Sequence, residues 1–127
     1  MLARRQRRYR DINWIFSHGG GALTAFAERL LAQMVTTPPY QGKFTRDMVQ
    51  AELNRFHYDT AQVSLNGTLA ALAKLVPISQ IMYGSDFPYR TAAGQSHGVD
   101  AIFDPNDRMR VNRDNALSIL PRLRSFP

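Results

Sequence analysis

The chain has 127 residues, a formal net charge of +6 at pH 7 and no cysteine. This length fits one domain of ordinary size. The composition excludes disulfides and cysteine-based metal sites, and no apolar run approaches the ~18 residues that a membrane-spanning helix requires. Cytoplasmic proteins rarely contain disulfides, and the absence of cysteine agrees with that location. We therefore expect a cytoplasmic protein without membrane contact.

The positive charge is concentrated at the start of the chain. Five of the 16 basic residues are arginines within the first ten positions, which hold no acidic residue. The excess charge therefore belongs to one short segment rather than to a basic face. We interpret this segment as a solvated helix end, so binding to nucleic acid is not expected. A nucleic-acid-binding arm and an organelle-targeting segment are the alternatives.

The first predicted strand leads directly into a glycine-rich turn. Residues 14–16 form an apolar run that does not alternate with polar residues, which predicts a buried parallel strand. Ser17 and His18 follow, and three consecutive glycines then predict a tight turn into a helix over residues 22–35. The apolar stripe that we expect to pack on the sheet consists of Leu23, Phe26, Ala27, Leu30, Leu31 and Met34.

Two further strands are predicted, each preceded by a helix. Thr45 is a suitable N-cap for a helix over residues 46–54. A strand over residues 56–60, a helix over residues 69–76 and a strand over residues 80–84 follow. The residues of the first of these helices that we expect to face inward are Met48, Val49 and Leu53.

The last third of the chain is predicted as a loop followed by helices. Small and polar residues indicate a loop over residues 87–98, with one helical turn inside it as the alternative. Asp104 and Pro105 are typical of a helix start, and a final helix is predicted over residues 111–120. The inward residues of that helix are expected to be Ala116, Leu117 and Leu120. The alternation of strands and helices predicts an α/β fold with parallel strands joined by helical crossovers.

His18 and Asp86 are the first candidate site residues, because each follows an apolar strand. The carboxyl ends of parallel strands lie at one edge of a sheet, where catalytic side chains collect in α/β folds. His18 has the chemistry of a general base or a metal ligand, and Asp86 that of an oxygen ligand for Zn²⁺ or Mn²⁺. The alternatives are a hydrogen-bonded core histidine and a carboxylate that caps a helix or a turn.

His57 and Asp59 are two residues apart on the second predicted strand, so their side chains point to the same face of the sheet. Such a pair can bind a metal, and we consider both as possible pocket residues. The alternative is that Tyr58, which lies between them, faces the pocket instead. His97 falls in the predicted loop and is expected to be solvated.

Four motifs, taken together and in this order, resemble one known family. They are WIFSHGGG (residues 14–21), YDTA (58–61), SQIMYGSDFPY (79–89) and NALSILP (115–121). The family is that of the amidohydrolase-related metal-dependent hydrolases of the aminocarboxymuconate-semialdehyde decarboxylase type. The resemblance covers nearly the whole chain, and we expect residues 1–127 to form a single partial domain of that family.

The resemblance implies both a fold and a site. The family folds as a TIM (β/α)₈ barrel of roughly 250 residues, with a divalent metal, usually zinc, at the C-terminal mouth. This chain matches the last three βα units of the barrel. His18 matches a histidine beside the metal that activates water or substrate, and Asp86 matches an aspartate that binds the metal. Asp59 matches a position on the seventh strand for which no role is assigned.

The histidine ligands that the family provides from its first and fifth strands have no counterpart in this sequence. We therefore interpret the chain as a C-terminal portion: a truncated gene product, a product with a misannotated start, or a fragment. Metal binding by this chain is expected to be weak or absent, because affinity depends on three or four preplaced ligands.

The function implied by the resemblance is that of a C-terminal part of a metal-dependent hydrolase or non-oxidative decarboxylase acting on a small carboxylated substrate. In the complete enzyme the metal would polarise water or substrate, and His18 would transfer the proton. The alternative is a catalytically inactive remnant that persists as a self-associating α/β module. A homo-oligomer is expected, because two edge strands, residues 12–17 and 80–84, would lie exposed.

Overall fold

The computed structural model describes Tyr9, residues 11–64 and residues 67–125. Apart from Tyr9, the arginine-rich start of the chain lies outside the described residues, so its interpretation as a helix end stays a prediction. Among the helices of the described residues, none is both long enough and apolar enough to cross a membrane.

The centre of the fold is a parallel sheet of three short strands. These are β1 (Ile15–Phe16), β2 (His57–Asp59) and β3 (Ile81–Met82). They hydrogen-bond in the order β1-β2-β3, with Ile15 opposite His57 and Tyr58 opposite Ile81. The predicted parallel arrangement is confirmed, and the carboxyl ends of all three strands lie at one edge of the sheet.

Helices connect the strands and follow the last one. The helices α1 (Leu23–Thr36) and α2 (Arg46–Leu53) lie between β1 and β2, and α3 (Gly67–Leu75) lies between β2 and β3. After β3 come α4 (Ala92–Ile102), α5 (Pro105–Met109), a π-helical turn (Arg110–Asp114) and α6 (Asn115–Ile119). Single turns of 3₁₀ helix occur at His18–Gly20, Ile78–Gln80 and Pro121–Ser125.

Two predicted helix starts are confirmed by their caps. The Thr45 hydroxyl oxygen accepts a hydrogen bond of 3.2 Å from the amide of Met48 at the start of α2. The Asp104 carboxylate accepts one of 2.9 Å from the amide of Asp107, and Pro105 occupies the first position of α5. Each side chain thus satisfies one of the amides that a helix leaves unpaired at its N-terminus.

The hydrophobic core lies between β2, β3 and the helices that cover one face of the sheet. Its fully buried members are Tyr58, Leu69, Leu72, Ile81, Val99 and Val111. The hydroxyl of Tyr58 donates a hydrogen bond of 3.0 Å to the carbonyl of Leu53 at the end of α2. Burial raises the pKa of Tyr58 to about 12, so this hydroxyl remains protonated and stays a donor.

The predicted loop over residues 87–98 is wrong in its second half, because α4 begins at Ala92. The Thr91 hydroxyl caps this helix by accepting a hydrogen bond of 3.3 Å from the amide of Gly94. The glycines and serine of the segment are weak helix formers, which is why its sequence does not indicate a helix. Tertiary packing outweighs that preference: Val99 is fully buried, and a Cβ on Gly98 would lie 1.5 Å from the carbonyl oxygen of Ser64.

The final helix is also less regular than predicted. Residues 110–114 form a π-helical turn, and only Asn115–Ile119 are α-helical. The carbonyl of Val111 accepts a hydrogen bond of 2.9 Å from the amide of Tyr83, just beyond β3. The side-chain amide of the buried Asn115 donates to the carbonyls of Ile78, at 2.7 Å, and of Ile81, at 2.8 Å. The π turn therefore fits this segment to the last strand.

The first strand and the first helix are more exposed than the sequence predicts. Ile15 is 46% exposed and Phe16 39% on β1, which is one edge strand of this sheet. On the other edge strand, β3, Ile81 and Met82 are buried, so the predicted exposure of the edge at residues 80–84 is wrong. Only part of the α1 stripe is buried, since Phe26 and Leu30 are exposed, as is Met48 on α2. An apolar cavity of about 290 Å³ lies on this side of the molecule, lined by residues that include Phe16, Leu31, Val49, Phe56 and Tyr58.

We predict that Gly98→Ala lowers the free energy of unfolding by about 1–3 kcal/mol or more, because the added methyl group would overlap the backbone of Ser64. Gly67→Ala is the matched control: it also lies in a helix, and an added Cβ there meets no atom within 4 Å. Urea unfolding followed by circular dichroism measures both variants. Equal stabilities of the two would contradict the close packing of α4 on the loop at Ser64.

Candidate active site

Each strand is followed by a residue with a left-handed backbone conformation. The φ angles are 56° at His18, 55° at Gln62 and 61° at Asp86. Such angles are uncommon in residues other than glycine, and each costs about 1–3 kcal/mol unless the surroundings stabilise it. Non-glycine residues of this kind cluster at active sites and ligand sites. Their position after three neighbouring strands marks the carboxyl edge of the sheet as the candidate site.

His18 is oriented by two contacts with the end of β2. Its backbone amide donates a hydrogen bond of 2.8 Å to Oδ1 of Asp59. Its ring nitrogen Nδ1 lies 3.2 Å from the carbonyl oxygen of Ala61. A carbonyl oxygen only accepts, so Nδ1 carries the proton of this hydrogen bond. The other ring nitrogen, Nε2, is then the atom that is available to gain and lose a proton.

The glycines after His18 allow the chain to pass close to β2. Gly20 has φ 80°, and a Cβ on it would lie 3.1 Å from the ring of Tyr58. Gly19 has φ 60°, and a Cβ there would lie 3.1 Å from Val63. The three-glycine motif is therefore explained by backbone conformation and close packing.

Asp59 accepts hydrogen bonds from two loops. Besides the amide of His18, its Oδ1 accepts one of 3.1 Å from the amide of Ala61. The side chain is half-buried and packs against Gly84 after β3, where a Cβ would lie 3.0 Å from Cβ of Asp59. A larger residue at position 84 would crowd the Asp59 side chain.

Asp86 is connected to β2 through Gln62. The side-chain amide of Gln62 donates a hydrogen bond to Oδ2 of Asp86. The backbone amide of Gln62 donates one of 3.1 Å to Oε1 of Gln95 on α4, which also accepts from the hydroxyl of Ser64. Gln95 is buried, so this polar group joins the loop after β2 to the helix that follows Asp86.

The remaining candidates lie apart from these contacts. His57 is buried opposite Ile15, and its Nδ1 has no hydrogen-bond partner among the residues that the structure describes. Burial lowers its pKa below the ordinary value for histidine, because desolvation disfavours the charged imidazolium. Tyr58 belongs to the hydrophobic core and also lines the apolar cavity beside α1 and α2. The role of His57 as a pocket residue stays a prediction. His97 is exposed, as predicted, but it lies on α4 and not in a loop.

Sequence reasoning missed Gln62, Gly84 and Gln95. Gln62 and Asp86 are 24 residues apart, and Gln62 and Gln95 are 33 apart. No periodic pattern identifies a polar residue whose partner is so distant in sequence. The one local signal was the position of Gln62, shortly after a strand whose end already carried Asp59 and Thr60.

In α/β barrels, helices cover a parallel sheet and polar side chains lie at its carboxyl edge. The three described strands have this arrangement. The family model described as Amidohydrolase matches residues 1–122. The chain belongs to the amidohydrolase family.

Two curated relatives are fungal enzymes. The chain is 29% identical over 129 aligned positions to the 6-methylsalicylic acid decarboxylase of Aspergillus aculeatus, covering 94% of this chain and 39% of the relative. It is 31% identical over 116 positions to the 6-methylsalicylic acid decarboxylase of Penicillium expansum, covering 88% of this chain and 36% of the relative. The chain thus spans less than two fifths of the length of each relative.

Solved structures give the same picture of the fold. The apo form of Metarhizium anisopliae IDCase matches with a TM-score of 0.78 at 19% identity, over 98% of this chain and 37% of that one. A dihydroxybenzoic acid decarboxylase from Polaromonas sp. JS666, with bound manganese and the inhibitor 2-nitroresorcinol, matches with a TM-score of 0.74 at 20% identity. That match covers 94% of this chain and 36% of the other. The predicted fold, part of a TIM barrel, is confirmed.

We predict that the stability of the chain falls when the pH is lowered from about 7 to about 5, partly because of His57. Its pKa is lowered in the folded state, so the unfolded chain binds more protons over this range, and stability rises with pH. His57→Gln should reduce the slope of unfolding free energy against pH. His97→Gln, at the exposed histidine of α4, is the control and should keep the slope of the wild type. An unchanged slope in His57→Gln would contradict the prediction.

Proposed function

We propose that this chain is the C-terminal part of a metal-dependent, non-oxidative decarboxylase that acts on a small carboxylated aromatic acid. The observation that carries the proposal is the placement of His18 and Asp86 after β1 and β3, each connected to the end of β2 between them. The curated relatives are decarboxylases of an aromatic acid by name, which favours decarboxylation over hydrolysis. We also propose a cytoplasmic location, on the basis of the absence of cysteine alone.

In this proposal His18 delivers the proton that replaces the departing carboxylate. The bond between the ring carbon and the carboxylate breaks, carbon dioxide leaves, and the electron pair remains on the ring carbon, which then takes a proton. Because Nδ1 of His18 is engaged with the carbonyl of Ala61, Nε2 is the atom that transfers this proton. The contacts of His18 with β2 thereby fix the direction from which the proton arrives.

The described residues do not fit a complete metal site. Among them, no group of three or more histidine, aspartate or glutamate side chains is arranged to hold a metal ion. A tightly bound divalent ion needs three or four such ligands. We propose that Asp86 supplies one carboxylate ligand and that the ion is zinc, as is usual in the family that the sequence resembles. Manganese, present in the Polaromonas decarboxylase, also suits a carboxylate ligand.

We predict that residues 9–123, placed in the Penicillium expansum decarboxylase instead of the matching segment, support release of carbon dioxide from 6-methylsalicylic acid. His18→Asn in this chimera should lower the rate about 100-fold or more, because the proton donor is lost. His97→Asn is the control and should keep the rate. The isolated chain should show neither activity nor stoichiometric zinc or manganese by elemental analysis. A folded, active chimera that tolerates His18→Asn, or one tightly held ion per isolated chain, would contradict the proposal.

We also propose that the chain forms homo-oligomers through β1. The strand is an edge of the sheet, and exposed apolar side chains surround it: Ile12, Trp14, Ile15, Phe16, Phe26 and Leu30. An exposed apolar edge strand is a template for pairing with another chain. This observation also favours the second candidate function, a self-associating module without activity.

We predict that light scattering detects dimers or larger species whose fraction rises with protein concentration. Ile15→Lys should reduce this association, because a lysine on an edge strand opposes pairing with a second strand. Tyr89→Lys is the matched control, since Tyr89 is exposed in the loop after β3, away from the edge at β1. A stable monomer over a wide concentration range would overturn the proposal of self-association.

A further inference from the structure

Residues 59–62 contact the loops that follow both neighbouring strands. Toward β1, Oδ1 of Asp59 accepts the amide hydrogen of His18 at 2.8 Å, and the carbonyl of Ala61 accepts Nδ1–H of the His18 ring at 3.2 Å. The backbone and the ring of His18 are therefore both bonded to the same short segment.

Toward β3, the same segment bonds Gly84 and Asp86. The hydroxyl of the fully buried Thr60 accepts from the amide of Gly84 at 3.1 Å and donates to its carbonyl at 3.3 Å. The side-chain amide of Gln62 donates to Oδ2 of Asp86. One oxygen of the Asp86 carboxylate is thus engaged with Gln62, which sets the orientation of the other.

These bonds account for conformations that would otherwise be unfavourable. His18 and Asp86 both have left-handed backbone angles, and so does Gln62 itself. A residue with such a backbone angle is stable only where several contacts hold it in that conformation. Hydrogen bonds to a charged carboxylate contribute about 1.5–3 kcal/mol, which is enough to offset that cost at His18.

We propose that residues 59–62 are the positioning element of the site, in which Asp59 orients His18 and Gln62 orients Asp86. Asp59 is then a positioning residue, because its Oδ1 accepts the amide hydrogens of both His18 and Ala61. The catalytic role of His18 and the ligand role of Asp86 rest on the proposed function. The contacts themselves do not, so the two can be tested separately.

The test uses nuclear magnetic resonance on the full 127-residue chain. In the wild type, the His18 ring should be mainly the Nδ1–H tautomer, and the His18 amide should exchange slowly with solvent. Asp59→Ala should increase that exchange about tenfold or more and populate the Nε2–H tautomer. Asp59→Asn should restore both signals, because the Asn side chain keeps the accepting oxygen. Asp47→Ala, at an exposed acid of α2, is the control and should change neither.

A second measurement uses the wild-type chain, so its result does not depend on whether a variant folds. Couplings across hydrogen bonds should connect the His18 amide nitrogen with Cγ of Asp59, and Nε2 of Gln62 with Cγ of Asp86. Gln62→Ala should abolish the second coupling and leave the first. Absence of either coupling in the wild type, or a tautomer in Asp59→Ala equal to that of the wild type, would overturn the positioning role. None of these measurements uses catalytic activity. A negative result here can therefore be distinguished from an inactive chimera, which tests the proposed function.

Discussion

The hydrogen bond between the His18 amide and the Asp59 carboxylate connects two strand ends that are 41 residues apart in sequence. It requires β1 and β2 to be parallel neighbours, because only then do both carboxyl ends reach the same edge. A Cβ at position 84 would lie 3.0 Å from Cβ of Asp59, so Gly84 leaves room for this carboxylate. The single contact between His18 and Asp59 thus depends on the order of the strands, and it stabilises the left-handed angle at His18.

The two faces of the fold differ in how completely they are packed. Around β2 and β3, helices α3 and α4 and the π turn enclose fully buried side chains such as Leu72 and Val111. Around β1, apolar residues remain exposed, and a cavity separates parts of α1 and α2 from the sheet. A closed barrel has no edge strand, whereas the three described strands have two edges, of which β1 is exposed and β3 is buried.

Features that depend on residues close together in sequence were predicted correctly. Features that depend on residues far apart in sequence were missed. The helix starts at Thr45 and Asp104 follow from a side chain and an amide three residues apart, and both predictions are confirmed. The helix α4 was missed because its stability depends on packing of Gly98 against Ser64, 34 residues away. The burial of β1 was overestimated, because an apolar run does not specify how many neighbouring strands accompany it.

The contacts that orient His18 and Asp86 do not require a complete metal site. Among the described residues, the bonds that orient His18 and Asp86 come from residues 59–62, within the same three βα units. Metal affinity, in contrast, depends on the number of ligands that converge, and the described residues bring no set of three together. The edge at which His18 and Asp86 lie can therefore keep its geometry within these three βα units, whether or not a complete set of metal ligands is present.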